Sequence, residues 1–261
     1  MHFPSSSRSS LPASLGLAAL GLVSLGLAAA PARAQTQDLF VSNLGTNTIS
    51  RFAGTGLGTF STTATTLATG GTLSGPEGLA FDAFGDLFVS NFGNNSITKF
   101  AAGATPGTFG AGTVALTGGG LNQPGGLVFD AKGDLFAANL NGDSITEFAA
   151  GATTGTFGAG TTFATGGTLS SPEGLAFDAK GDLFAANVTG NSITEFAFNP
   201  ASGTFGAGAV VETGLSVPRF LAFGPSAPPA VPEASTTVSL GLLLALGLGG
   251  TVMAARKKRK A

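Results

Sequence analysis

The chain says nearly the same thing four times. The stretches "QDLFVSNLGTNTISRF", "GDLFVSNFGNNSITKF", "GDLFAANLNGDSITEF" and "GDLFAANVTGNSITEF" carry Asp38, Asp86, Asp134 and Asp182, each 48 residues after the last. A second element precedes three of them: "GPEGLAFD", "QPGGLVFD" and "SPEGLAFD", with Pro76, Pro124 and Pro172. A fourth version, "VPRFLAFG" with Pro218, comes after the last copy. A third element, "GTF", carries Phe60, Phe109, Phe157 and Phe205. A fixed period of this length admits few folds, because each copy must be one supersecondary unit whose apolar faces are buried by its neighbours.

Each unit reads as four short strands, of which "GLAFD", "DLFVSN", "SITKF" and "GTVAL" are examples. Turn signals such as "DAFGD" and "NFGNN" separate them, and the longer "AAGATPGTFGAG" precedes the fourth. The strands are almost wholly apolar, as when both faces of a sheet pack on neighbouring sheets. Helical periodicity is missing from this region. The expected fold is all-β: a β-propeller of four blades, each of four antiparallel strands, over residues 35–224. The repeats begin at Asp38 on a second strand and end in "PRFLAFG", a lone first strand. Pairing these two would clasp the ring shut and remove its open edges. A small closed ring is therefore the expectation, and a partial ring that pairs with a second chain is the alternative.

The wording P-x-G-L-A-F-D, then G-D-L-F-V-S-N, then N-x-I-x-x-F, resembles NHL-type repeats and, through them, the senescence-marker/gluconolactonase propellers. The likeness covers most of residues 38–224. Those families usually build more blades than four. In the lactonases the resemblance implies a divalent ion on the axis, held by Glu, Asn and Asp. Here a first-strand Glu is matched in two blades, and no unique Asn/Asp pair stands apart from the repeated set.

Both ends read as addresses. Arg8 precedes an apolar run over residues 15–30, followed by "APARAQ". Ala32 and Ala34 give the small-x-small form of a signal-peptidase site, so residues 1–34 are expected to be a signal peptide cut before Gln35. Residues 225–235 are a Pro-rich linker. Residues 236–255 are apolar, uncharged and long enough to span a bilayer as a helix, and the basic tail 256–261 would stay in the cytoplasm. "VPEAS" immediately before the span, with the basic cluster behind it, resembles the PEP-CTERM sorting signal of Gram-negative bacteria. Val231, Pro232, Glu233 and Ser235 match, and Ala234 stands where a second proline is usual. The resemblance implies an exosortase-type partner and a transient stay in the inner membrane. It further implies delivery to the cell surface or medium, among exopolysaccharide and the biofilm matrix. A plain membrane anchor is the alternative.

Between those ends lie five basic and thirteen acidic residues, a net charge of −8. Such a body argues against nucleic acid, whose phosphates need a basic face. It suits cations, neutral glycans or other surface proteins. The chain has no cysteine and one histidine, His2, inside the leader. That leaves no thiol nucleophile, imidazole base or histidine-bound zinc, so a non-catalytic binding or structural role is expected, with a metal-dependent lactonase-like hydrolase as the alternative.

Residues that repeat in every blade read differently from those that break the repeat. Asn43, Asn91, Asn139 and Asn187 follow every second strand. They either ring a pore with amides or bond the neighbouring turn backbone, as Asn does readily. The pairs Asp82/Asp86, Asp130/Asp134 and Asp178/Asp182 straddle a glycine turn and suit either a hairpin or calcium. The residue after each blade proline varies: Glu77, Gly125, Glu173 and Arg219. Near a propeller axis, Glu77, Glu173 and Arg219 would form an ion or ligand site, or a salt-bridged plug whose charges pair to offset desolvation.

Overall fold

The computed structural model describes residues 37–56, 58–153 and 155–224. The signal-peptide junction at Ala32, Ala34 and Gln35, the linker, the motif at 231–235 and the apolar span lie outside them. Among the described residues no helix is long and apolar enough to cross a membrane.

Four antiparallel sheets follow one another along the chain. Blade one has three strands, Leu39–Asn43, Thr48–Phe52 and Thr65–Thr69. Blade two has four, in order Pro76–Phe81, Leu87–Asn91, Ser96–Phe100 and Thr113–Thr117. Blade three repeats this with Pro124–Phe129, Leu135–Asn139, Ser144–Phe148 and Thr161–Thr165. Blade four consists of Pro172–Phe177, Leu183–Asn187, Ser192–Phe196 and Ala209–Glu212. This is the propeller arrangement, with the proline-led strand innermost.

The second strand of a blade is the most deeply buried. All five residues of Leu87–Asn91 and of Leu135–Asn139 are inaccessible, which is why neither alternates apolar with polar. The fourth strand faces solvent at its start and is rich in threonine. Apolar side chains collect between successive sheets. Ile49, Leu73 and Phe100 lie between blades one and two, Phe88, Leu121 and Phe148 between two and three, and Phe136, Leu169 and Phe196 between three and four.

Phenylalanines bind the interfaces in a repeated trio. Phe40 of blade one meets Phe81 at 5.2 Å and Phe109 at 5.5 Å, both from blade two. Phe88 meets Phe129 and Phe157 at the same two distances, and Phe136 meets Phe177 at 5.4 Å and Phe205 at 6.1 Å. Three of the "GTF" phenylalanines, Phe109, Phe157 and Phe205, thus pack against the cores, held by hairpins within the long loop: the short strands Phe198–Asn199 and Thr204–Phe205, and bridges Ala102 to Phe109 and Ala150 to Phe157. Sequence patterning treats this stretch as plain loop, because two-residue strands leave no periodicity.

Polar groups tie the blades together too. Asn47, Asn95, Asp143 and Asn191 adopt left-handed backbone (φ 51°, 53°, 43° and 48°), which Asn and Asp tolerate best among non-glycine residues. Their Oδ1 atoms accept from the amides of Gly75, Gln123, Ser171 and Val217 at 2.6–2.8 Å, stapling each blade to the entry of the next inner strand.

The expected clasp does not form. Leu39–Asn43 pairs only with Thr48–Phe52, Pro218–Phe223 is not a strand, and four sheets share three cores. The last segment instead takes a fifth inner position, against blade four. Val217 is stapled to Asn191 like its three counterparts, Phe223 lies 4.9 Å from Phe184, and a Cβ on Gly174 would strike the Arg219 carbonyl. The first blade is left without an inner strand, and the last segment without a second strand beside it. The described body is an open arc.

The repeated asparagine is the deepest polar element of each blade. Asn139 Nδ2 donates to Ser144 Oγ at 3.1 Å and Thr146 Oγ1 at 2.9 Å, while Oδ1 accepts from the Asn122 amide at 3.0 Å. Asn139→Ala strands these buried partners and is expected to cost about 2–4 kcal/mol in chemical denaturation. Asn43→Ala, in the half-buried first blade, should cost less than half as much. Equal losses would show that burial of the amide is not what sets its contribution.

Candidate axial site and inter-blade groove

The inner strands start at a proline, and the next side chain turns toward the axis. Glu173 is fully buried there. Its Oε1 accepts from Arg219 Nη1 at 2.7 Å, and Glu77 Oε1 lies 3.8 Å from the same nitrogen. Gly125 falls between the two glutamates, where a Cβ would come within 3.2 Å of both Glu173 Cγ and the Glu173 carbonyl. Glu77, Glu173 and Arg219 therefore form one cluster, with Leu44, Phe92 and Leu140 around its mouth.

One guanidinium does not satisfy two carboxylates. Both Oε2 atoms are buried without a hydrogen-bond donor. Burial, followed by the charge of Glu173 and a hydrogen bond with it, raises the Glu77 pKa to about 7 against the opposing pull of Arg219. A proton held on one carboxyl and offered to the other supplies the donor that the fixed groups lack. Near neutrality the cluster thus exchanges a proton. It is a tight, internally paired knot.

The other repeated residues are occupied within their own blades. Asn43, Asn91 and Asn187 donate to the same Ser/Thr pair as Asn139 does, so their amides are committed to the sheet. Asp82, Asp130 and Asp178 each accept two turn amides through Oδ1. Asp86, Asp134 and Asp182 accept the amides of Ala102, Ala150 and Phe198 from the long loop. Burial works against ionisation of Asp86, but hydrogen bonds from Lys99 and the Ala102 amide and the Lys99 charge outweigh it, and its pKa is lowered. Among the described residues no group of three or more His, Cys, Asp or Glu side chains is placed to hold a metal ion.

A second feature lies off the axis. A cleft of about 570 Å³ opens between blades three and four, lined by Asp130, Lys132, Glu147, Phe163, Thr168 and the glycine-rich Gly203–Gly208 loop. In blades one and two the position of Glu147 is basic: Arg51 pairs with Asp38 at 2.6 Å and Lys99 with Asp86 at 2.5 Å. At Glu147 the sign reverses. Burial and then the carboxylates of Asp134 and Asp130 raise its pKa, and Lys132 lowers it. The signal was readable as Arg51, Lys99, Glu147, Glu195 down the repeat, a break in symmetry as clear as the one after the prolines.

No protein-family model matches the chain, and no curated protein matches it in sequence. Solved structures do match in shape. A nidogen/laminin complex gives a TM-score of 0.57 at 20% identity, over 73% of this chain and 66% of that one. Virginiamycin B lyase from Staphylococcus aureus, with quinupristin, gives 0.53 at 16% identity, over 72% and 56%. A candidate 6-phosphogluconolactonase from Bacteroides fragilis gives 0.50 at 21%, over 70% and 53%. At these identities the likeness is one of fold, the β-propeller. The chain spans only about half to two thirds of each of them.

Because the Glu77 pKa is raised from 4.5 to about 7, the folded chain keeps a proton that the unfolded chain has released. The stability this proton carries is fully present below pH 4.5 and is lost as pH rises through 7. Glu77→Gln, which mimics the protonated group, should match the parent chain near pH 4.5 and exceed it at pH 8 by on the order of 1–3 kcal/mol. Glu147 adds a slope of the same sign, which the variant retains. Parallel stability curves for the two chains would show that the axial carboxyls do not share a proton.

Proposed function

We propose that this chain is an exported propeller of the cell surface or extracellular matrix that binds without catalysing, and that its ligand is a neutral, hydroxyl-rich glycan or a surface protein. The observation that carries this reading is Arg219. Among the described residues, the buried carboxylates that converge at the axis are met by a guanidinium of the same chain, which supplies the positive charge a divalent ion would otherwise bring. The groove beside Glu147 supports it as the contact surface. It is lined by Thr165 and Thr168 beside Asp130, Glu147 and Lys132, hydroxyl-bearing side chains in a setting of mixed charge. Neutral glycans are met by such uncharged donors and acceptors.

Export and sorting belong to the same proposal. The leader ending at Ala34 and the tail of Val231, Pro232, Glu233 and Ser235, apolar span and basic cluster support delivery through signal peptidase and an exosortase-type enzyme. A divalent-metal-dependent lactonase is the competing reading. It draws on the fold shared with a candidate 6-phosphogluconolactonase and on the paired carboxyls at the axis.

Two measurements on the native host separate these readings. Intact mass of the protein from surface and membrane fractions should show a species starting at Gln35 and ending between Val231 and Ser235, outside the inner membrane. A species running to Ala261 and confined to the membrane would mean a permanent anchor. Glycan-array binding weakened by Glu147→Lys, with no turnover of sugar lactones in added calcium, is the expected functional result. Lactone hydrolysis abolished by Glu77→Gln would make the chain an enzyme.

A further inference from the structure

The two ends of the arc are halves of one blade. In blade two Leu87 and Val89 are fully buried, while their blade-one equivalents Leu39 and Val41 are 44% and 37% exposed. The difference is the missing inner strand along Leu39–Asn43. At the other end Pro218–Phe223 holds an inner-strand position with no second strand beside it, leaving Phe220 62% and Phe223 50% exposed. The aromatic trios are incomplete in the same way. Phe184 and Phe223 form two thirds of a fourth trio, and Phe60, the "GTF" residue of blade one, is 41% exposed. What each end lacks, the other end has.

They are not joined within one chain: Leu39–Asn43 pairs only with Thr48–Phe52, and Pro218–Phe223 pairs with no strand. The partial overlap with solved propellers also fits an arc of a larger circle. Neither residues 1–36 nor 225–261 contain a further copy of the proline-led strand wording.

We propose that two copies of this chain close one ring of eight sheets, the Pro218–Phe223 segment of each lying along Leu39–Asn43 of the other as its missing inner strand. The arrangement has two-fold symmetry, makes the same junction twice and leaves no sheet edge at the axis. It goes beyond the surface-binding reading and does not depend on it. Register follows from the blades already formed: Leu127 opposes Ala137 and Leu175 opposes Ala185, so Leu221 opposes Val41 of the other copy.

The chain has no cysteine, which makes the junction directly testable. Directly opposed residues of an antiparallel pair lie about 4.5–5.5 Å apart at Cα, within disulfide range. The full chain carrying Val41→Cys and Leu221→Cys is oxidised before denaturing, non-reducing electrophoresis. Most of it should run at twice the chain mass, and the two single variants produced together should also yield a covalent dimer. Leu175→Cys with Ala185→Cys is the control and should cross-link within one chain. The proposal is overturned if the Val41/Leu221 variant cross-links within a single chain. It is equally overturned if that variant stays uncross-linked while the control oxidises.

Discussion

Everything in this molecule hangs on how closely one inner strand can approach the next. At Gly78, Gly126 and Gly174 the backbone of one blade meets the backbone of its neighbour with no room for a side chain. That contact sets the pivot about which successive sheets turn. Around it the interfaces are filled by leucines, isoleucines and the phenylalanine trios. A chain without tryptophan, tyrosine or disulfides holds its blades together in this way. Each interface is a slab of apolar surface, with aromatic contacts that add about 0.5–1.5 kcal/mol per pair beyond their burial.

Such close backbone packing raises a problem of polar satisfaction. A second strand buried on both faces ends at an asparagine that, with hydroxyls of the third strand beside it, is shut off from water. The Asn side chains at 91, 139 and 187 solve this from within, linking two hydroxyls of the third strand to a backbone amide that precedes the inner strand. The left-handed Asn or Asp that follows does the same between blades. These polar contacts are directional where the apolar ones are not. They select one register and one blade-to-blade angle from the many that burial alone would tolerate.

The fold was legible in the sequence because its information is repeated. Four copies of "LF-x-x-N", three of them preceded by proline-led strands, specify strands, turns and blade order without a single tertiary contact. Whether the blades close into a ring was not legible, since a count of units says nothing about the rotation between them. That rotation is fixed by contacts between neighbouring inner strands, which the repeated wording does not reveal. The short hairpins around Phe109 and Phe157 were hidden for another reason: they are held by the neighbouring blade, not by their own pattern. Glu77, Glu173 and Arg219 could be picked out because they vary where everything else repeats. Glu147 obeys the same rule, but its meaning comes from Asp130, Asp134 and Lys132, which only the folded chain brings round it.

Departures from the repeat thus do the work that the repeat cannot. An ideal array would present the same surface four times and bind nothing in particular. Here the basic residue that neutralises the second-strand aspartate in blades one and two gives way to glutamate in blades three and four, so the arc is polarised along its length. At the axis, glutamate, glycine, glutamate and arginine follow one another, and the last neutralises what the others bring in. Arg219 is able to do so only because its segment keeps to the arc in a fifth inner position. The charge balance at the axis and the unpaired second strand of blade one therefore have one origin: a terminal segment that belongs in position to this chain and in pairing to another.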